Sequence, residues 1–391
     1  MTATTLTPDA AASPLDPQPE GRARTANKAL VASQWTLMWW RFRRHRLALA
    51  CAVIVILFYL VAAFAEAIAT TDPNKISNLY RYAPPQTIEF ADKEGNFSLR
   101  PYALGLKSSR NTDTLRVTYV PDPTKKYPIQ FFTHGEKYVM WGLWETDIHL
   151  FGLGKEVPAN TPFYLLGTDR LGRDMLSRIA YGARISLSIG LIGITLSFTF
   201  GMINGGISGY FGGRIDTVIM RVCELIMSVP SLYLIIALRN TFPANISSAQ
   251  AYAMIVAILS FIGWASMARV VRGMALSLRE RQFVLAARAL GATPWRIITR
   301  HILPSTFSYV IVAATLSVPY YILGEVVLSY LAVGIQEPQA SWGNMLTAAQ
   351  NTEHLRSYPW LLAPGAAIFV TVLAFNFLGD GLRDAADAKS S

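Results

Sequence analysis

Six long runs of predominantly apolar residues divide the chain. Each holds roughly 20 residues or more, the length a helix needs to cross about 30 Å of hydrocarbon. They lie near residues 47–69, 185–205, 216–238, 251–270, 307–334 and 357–379. The pattern predicts an all-α integral membrane protein with six transmembrane helices.

The segment between the first two runs, 71–183, has a different pattern. Short β-branched and aromatic runs such as TLRVTYV, YPIQFF and DIHLFGL alternate with turn signals such as VPDPTKK and THGE, which is typical of strands joined by turns. The segment predicts a small β-rich insert. The alternative is an elaborated loop that only covers the spans.

Composition supports membrane residence. Of the 391 residues, 52% are hydrophobic and 15% are charged, whereas soluble domains average about 45–50% and about 25%. The formal charge of +10 would suggest nucleic acid only on the basic face of a soluble domain, and here Arg and Lys cluster beside apolar runs. Cys51 and Cys223 both fall inside apolar runs, which excludes a disulfide framework.

Basic residues orient the predicted spans, because Lys and Arg near span ends stay on the cytoplasmic side. An arginine cluster precedes the first run, and residues 269–300 carry seven arginines against the single acid Glu280. The first run lies too far from the terminus for a cleaved secretory signal. We therefore expect a cytoplasmic tail (1–46), a cytoplasmic C-terminus (381–391) and outer connections at 71–183, 239–250 and 335–356.

The basic segment 281–304 has the local signals of two short helices. Residues 281–290 show helical periodicity, and Gly291 stands where a C-terminal cap favours glycine. Thr293 suits an N-cap and Pro294 the first helical position. We expect Pro304 to end this second helix and Ser305 to cap the next span.

This segment is too short to bury a core of its own and therefore predicts a partner surface. The small residues at 286, 287 and 291 would let the backbone of another protein approach closely. Apolar contacts could come from Trp295, Ile298 and Ile302, beside Arg288. The alternative is an amphipathic hairpin lying on anionic lipid headgroups.

The stretch AARALGATPWRIITRHILP resembles the cytoplasmic coupling-loop signature of ABC importer permeases. The matching positions are Ala286, Ala287, Gly291, Leu303 and Pro304. The glutamate that usually precedes the alanines is replaced by Leu285. In that family the loop seats in a cleft of the ATP-hydrolysing subunit, which implies the same contact here, including Arg288 and Trp295.

Further stretches resemble permeases of the oligopeptide, dipeptide and nickel branch. They are YLLGTDRLGRDMLSRIAYGARISLSIG, GYFGGRIDTVIMRVCELIMSVPSLYL, LGEVVLSYLAVGIQEPQASWGNML and NFLGDGLRDAADAK. The resemblance implies the type I importer permease fold, with first helix 47–69, an extracytoplasmic insert and a permease core at 184–380. It also implies four kinds of partner in a bacterial inner membrane: a second homologous permease, two ATPases that hold ATP and Mg, a solute-binding protein and lipid.

Two acids and three glycines inside the apolar runs have both structural and functional interpretations. Glu224 and Glu325 could line a passage, since an intramembrane carboxylate usually faces a cavity or a partner. We favour a structural role, such as a hydrogen bond that braces a helix. Gly201, Gly205 and Gly209 recur every four residues, which lets membrane helices approach closely.

The sequence motifs of common enzyme active sites are incomplete or absent. FGLGKEV departs from the phosphate-loop pattern, the five histidines include no HExxH pair, and no GxSxG is present. We expect a transport subunit without a cofactor or metal of its own, in preference to a self-sufficient channel or carrier or a membrane-embedded enzyme. The resemblance implies peptides as substrate, with nickel complexes, opine-like or other conjugates as alternatives.

Overall fold

The computed structural model describes residues 34–91, 97–110, 117–154, 157–158, 161–241, 243, 246–331 and 333–387. The predicted tail before residue 34 and the residues after 387 lie outside this part of the chain. The described residues are predominantly helical, with one four-stranded antiparallel sheet between the first and second long helices.

The helices follow the apolar pattern of the sequence. In chain order they are α1 (Gln34–Phe42), α2 (Arg46–Ala63), α3 (Ala65–Ile68), α4 (Met175–Phe211), α5 (Gly213–Ser228), α6 (Ser231–Asn240), α7 (Ser248–Leu278), α8 (Gln282–Ala289), α9 (Pro294–Ile297), α10 (Leu303–Tyr330), α11 (Trp342–Met345), α12 (Thr352–Ser357) and α13 (Ala363–Ala386).

Five segments of the described chain are long and apolar enough to cross a membrane. They are Arg46–Ala63, Met175–Phe211, Ser248–Leu278, Pro294–Tyr330 and Pro359–Ala386. A sixth is added if α5 and α6 count as one span, but these two helices meet at a bend of 91°. The bend follows from Pro230, which lacks a backbone N–H and disfavours helical backbone at Val229 before it. The run at 216–238 is therefore not a straight helix.

The pairing of α4 with α7 forms the centre of the bundle, and three glycines of α4 make it close. A Cβ at Gly201 or Gly205 would lie 2.8 Å from the carbonyl oxygen of Trp264 or 2.5 Å from that of Ala268. A Cβ at Gly209 would lie 2.6 Å from the carbonyl oxygen of Arg272. The glycine repeat thus lets the backbones of α4 and α7 touch. Helix α10 packs on α4 and α13, and α2 packs on α13 and α4.

The helix that begins at Pro294 runs on to Tyr330, so the predicted stop at Pro304 is wrong. A π turn at Ile298–Ile302 joins α9 to α10. The looser turn places proline at the start of α10, where its missing N–H is tolerated. Ser305 does not cap a helix either, because its Oγ donates to the carbonyl oxygen of His301 at 2.7 Å.

The sheet lies between α3 and α4 in the sequence. Its strands are β1 (Ile88–Ala91), β2 (Phe97–Arg110), β3 (Val117–Met140) and β4 (Trp144–Leu153), in the order β1-β2-β3-β4. The long strand β3 pairs through its first half with β2 and through its second half with β4. This division explains the length of β3, since each half completes a different hairpin.

A buried histidine joins the sheet to the helices. The Nδ1 atom of His149 lies 2.5 Å from the carbonyl oxygen of Ala69, just beyond α3, and its Nε2 lies 2.9 Å from that of Glu136 on β3. The imidazole therefore connects β3 and β4 to the chain that leaves the first apolar helix.

Candidate functional site

The segment 281–304 folds into two short helices around a left-handed glycine. Gly291 has φ of +80°, and its N–H donates to the carbonyl oxygen of Arg288 at 3.0 Å. The N–H of Ala292 donates to the carbonyl oxygen of Ala287 at 3.1 Å. These two bonds form the Schellman motif that ends a helix at glycine, so the prediction of a glycine cap is correct.

The second short helix begins at the predicted residues. Thr293 has extended backbone and its side chain accepts from the N–H of Arg296 at 3.4 Å, with Pro294 in the first helical position. Proline fits there because its absent N–H has no intrahelical partner at that position. The turn between α8 and α9 is thus specified by local sequence alone.

The two helices pack against the C-terminal end of α7 through a small apolar core. Val284, Ile297 and Ile302 are buried together with Ala275 of α7. The expectation that Ile298 and Ile302 face a partner is therefore wrong, because this chain itself buries both. Leu303 is also buried, and its side chain lies against Gly206 of α4.

The opposite face of this segment is apolar and exposed. Leu290 is 89% exposed and Trp295 is 56% exposed, and Phe283 and Leu285 are also exposed. Small residues separate these side chains: Ala286 and Gly291 are exposed and Ala287 is half-buried. A Cβ placed on Gly291 would meet no atom within 4 Å.

Cations surround these apolar groups. Four arginines of the segment are exposed: Arg281, Arg288, Arg296 and Arg300. We call the exposed side chains of residues 281–300 the loop face. Its mixture of open apolar side chains and arginines suits an apolar groove with acidic residues at its rim. Leu285, which replaces the expected glutamate, makes this face more apolar, and Pro304 is exposed at its edge.

One ion pair and one hydrogen bond to the backbone connect the helices next to the loop face. Arg272 of α7 donates from Nη2 to Oδ2 of Asp216 on α5 at 2.5 Å. Arg279, just after α7, donates from Nη1 to the carbonyl oxygen of Gly209 on α4 at 3.3 Å. These contacts were missed from the sequence, because the Asp216 and Arg272 pair is 56 residues apart and no local pattern indicates it.

Glu325 is fully buried between helices. Its Oε2 accepts from the Oγ of Ser186 on α4 at 2.8 Å, and its Oε1 accepts from the Oγ of Ser329 at 2.7 Å. The Ser186 Oγ also accepts from the N–H of Trp342 on α11 at 3.3 Å. The carboxylate thus joins α4, α10 and α11.

Glu224, the other predicted intramembrane acid, lies in a different environment. It is exposed on α5, and its Oε2 accepts from Nη1 of Arg221 at 2.8 Å, one helical turn away. The structure therefore does not bring Glu224 and Glu325 together.

An ionic cluster at the start of α4 includes an acid from far along the chain, Glu337, which was missed from the sequence. The guanidinium of Arg173 donates to Asp169 at 2.7 Å and to Glu337 at 3.0 Å, and Arg178 donates to Glu337 at 3.2 Å. The cluster lines a cavity of about 210 Å³ that also contacts Tyr82. Burial raises the pKa of Glu337, but the hydrogen bond from Arg173 and the charges of both arginines outweigh it, and the net pKa is lowered.

Potential metal ligands are scattered in the described chain. Across the described residues, no group of three or more His, Cys, Asp or Glu side chains is placed to hold a metal ion. The thiols of Cys51 and Cys223 are free and buried.

Comparison with known proteins gives consistent matches. A family model described as a binding-protein-dependent transport system inner membrane component matches residues 197–391. A model described as the N-terminal TM domain of oligopeptide transport permease C matches residues 33–85.

Individual relatives match over more than half of the chain. The chain is 42% identical over 224 residues to the oligopeptide transport system permease protein OppC of Bacillus subtilis, which covers 57% of this chain and 71% of that protein. It is 43% identical over 224 residues to the dipeptide transport system permease protein DppC of the same bacterium, covering 57% and 68%. It is 42% identical over 233 residues to OppC of Haemophilus influenzae, covering 59% and 72%.

Proposed function

Because the chain belongs to the family of binding-protein-dependent transport system inner membrane components, we propose that it is the pore-forming permease subunit of an ATP-driven importer of peptides. The relatives' names, oligopeptide and dipeptide transport system permeases, support peptides as the substrate class. Nickel complexes and peptide-like conjugates are the competing cargoes.

The loop face is the observation that carries this proposal. It presents exposed apolar side chains and arginines around a left-handed glycine, on a base packed into the ends of α4 and α7. We propose that residues 281–304 dock in a cleft of a separate ATPase subunit, with Gly291 and the two alanines at the closest approach. ATP and Mg are then held by that partner and not by this chain.

The topology of the proposed subunit has six spans, with α5 and α6 together forming the bent third one. Both termini and the 281–304 segment are cytoplasmic, because arginines precede α2 and follow α7, and arginines near the end of a span stay on the cytoplasmic side. The segment 71–183, with its four strands, lies outside the cell membrane of a bacterium. A second homologous permease, two ATPases and an extracytoplasmic solute-binding protein complete the importer.

Transport follows from two arrangements of the spans. ATP binding closes the two ATPases and draws the loop faces of both permeases together, which opens the pathway to the binding protein. Hydrolysis restores the inward arrangement. Because a ligand shifts such an equilibrium only through differential contacts with the two states, the ATPase must hold the loop face differently in each.

The test is the substitution Gly291→Asn in the complete importer. Asparagine tolerates left-handed backbone better than other side chains, and a side chain at 291 would meet no atom of this chain within 4 Å. The variant should therefore fold and add bulk only where the ATPase docks. We expect ligand-stimulated ATP hydrolysis and peptide uptake in proteoliposomes to fall at least tenfold, about 1.4 kcal/mol of lost coupling.

A matched control is Gly142→Asn. Gly142 also has positive φ, +74°, and a Cβ there also meets nothing within 4 Å, but it lies in the turn between β3 and β4, away from residues 281–304 in the sequence. This variant should retain hydrolysis and uptake. Normal coupling in Gly291→Asn, with the variant assembled in the complex, would refute docking at the loop face.

A further inference from the structure

The turn between β3 and β4 carries three large exposed apolar side chains. Trp141, Leu143 and Trp144 are 47%, 70% and 59% exposed. The Nε1 of Trp141 donates to the carbonyl oxygen of Ala63 at 2.6 Å, and its ring centroid lies 5.5 Å from that of Phe64. Ala63 is the last residue of α2, so this turn is held at the end of the first apolar helix. We call residues 141–144 the tip.

Trp141 has a backbone conformation that is unfavourable for a residue with a side chain. Trp141 has φ of +51° and Gly142 has φ of +74°. A left-handed conformation costs a non-glycine residue roughly 1–2 kcal/mol, and Asn-Gly or Gly-Gly would form such a hairpin turn more easily. The contacts with Ala63 and Phe64 hold Trp141 in this conformation.

The tip continues an apolar stripe of α2. From Val53 onward, five large exposed apolar residues recur at intervals of one, three or four positions and so share one face, which ends at Phe64: Val53, Ile56, Leu57, Leu60 and Phe64. Because α2 is a candidate membrane span and these side chains are exposed, lipid is the solvent that suits them. The rings of the tip lie next to its final residue.

The length of α2 places the tip at a membrane boundary. Its 18 residues span about 27 Å at about 1.5 Å each, close to the hydrocarbon thickness of about 30 Å. Both ends of α2 therefore lie near the level where tryptophan is enriched. At the opposite end, α1 also exposes Trp35 and Trp39 just before Arg41.

From these observations we propose that the tip is a lipid anchor, which inserts Trp141, Leu143 and Trp144 into the headgroup boundary of the leaflet at the Ala63 end of α2. The residue after the tip, Glu145, is charged. It forms an ion pair with Lys137 at 3.2 Å, and both side chains are exposed. The anchor would hold β3 and β4 against the bilayer surface. A covering protein is the competing occupant, and lipid is favoured because the tip continues the lipid-facing stripe of α2.

The test is nitroxide accessibility at Leu143 in the complete importer in lipid nanodiscs. A spin label is attached through Leu143→Cys, and a control label through Val120→Cys, which is also an exposed apolar position of β3 but in the half that pairs with β2. The native Cys51 and Cys223 are buried, and the unsubstituted chain gives the labelling background.

The two labels should respond differently to oxygen, which concentrates in lipid, and to a water-soluble nickel chelate. We expect the ratio of oxygen to nickel collisions to be several-fold higher at 143 than at 120. Equal ratios would place the tip in water and refute the proposal. Low collision rates with both reagents at 143 would show that a partner protein covers the tip, which refutes a lipid anchor equally.

Discussion

The close contact between α4 and α7 at Gly205 gives the sharpest stability prediction. In Gly205→Ala, the new Cβ would lie 2.5 Å from the carbonyl oxygen of Ala268, 2.8 Å from the Cβ of Val271 and 3.1 Å from the Cα of Ala268. The first of these distances is about 0.9 Å shorter than the 3.4 Å at which ordinary contact begins. None of the three atoms is the free end of a flexible side chain, so α4 and α7 must separate.

The magnitude follows from two opposing effects. Overpacking a close contact typically lowers the free energy of unfolding by about 1–3 kcal/mol. The better helix propensity of alanine raises it by up to about 1 kcal/mol. Because two of the three contacts are backbone atoms, we expect the upper end of the cost, a net loss of about 2 kcal/mol. That corresponds to roughly a thirtyfold change in the folded-to-unfolded ratio.

The measurement compares this variant with Gly273→Ala by titration with sodium dodecyl sulfate in one mild detergent. Gly273 lies on α7, the other helix of the same pair, and a Cβ there meets nothing within 4 Å. The control should therefore equal or exceed the stability of the unsubstituted chain. If both variants unfold at the same midpoint, the glycines of α4 do not determine the approach of the two helices.

Three further results are expected. Glu325→Leu leaves the buried hydroxyls of Ser186 and Ser329 without their acceptor, so it should destabilise the chain by about 1–3 kcal/mol per hydroxyl in the same titration, whereas Glu325→Gln keeps one acceptor and should lose less. The pKa of Glu337 is lowered from its usual 4.5, so its contribution is complete above pH 4.5 and lost as pH falls through the lowered pKa; a pH series of unfolding midpoints should show this acid loss in the unsubstituted chain and a smaller one in Glu337→Gln. His149→Ala removes the connection from the sheet to the end of α3, and it should speed protease cleavage within 117–154 while leaving helical circular dichroism unchanged.

Local signals predicted the turn at 281–304 because its geometry is determined by adjacent residues. Glycine alone adopts φ of +80° without strain, and Thr293 with Pro294 specifies a helix start wherever the chain places them. The bend after Ser228 was not predicted, because hydropathy indicated one continuous run, although Pro230 is a local signal for such a bend.

Other features depend on positions far apart in the chain. Glu337 meets Arg173 across 164 residues, and a salt bridge between such positions leaves no periodic trace in the sequence. The burial of Ile298 and Ile302 could not be predicted either, because helical periodicity identifies an apolar face but not what covers it. Here the cover is supplied by the end of α7 and by Gly206 of α4, which lies against Ile298.

The glycine repeat and the loop face are parts of one mechanical unit. A Cβ at Gly209 would lie 2.6 Å from the Cβ of Ala275, and Ala275 is the residue of α7 on which Val284 and Ile297 pack. The loop is therefore seated at one of the close approaches of α7 to α4. Because close-packed interiors transmit displacement with little compression, a push on the loop face moves the ends of α4 and α7 together. In the proposed importer, this arrangement would connect an event at the docked ATPase to the two central helices of the pathway.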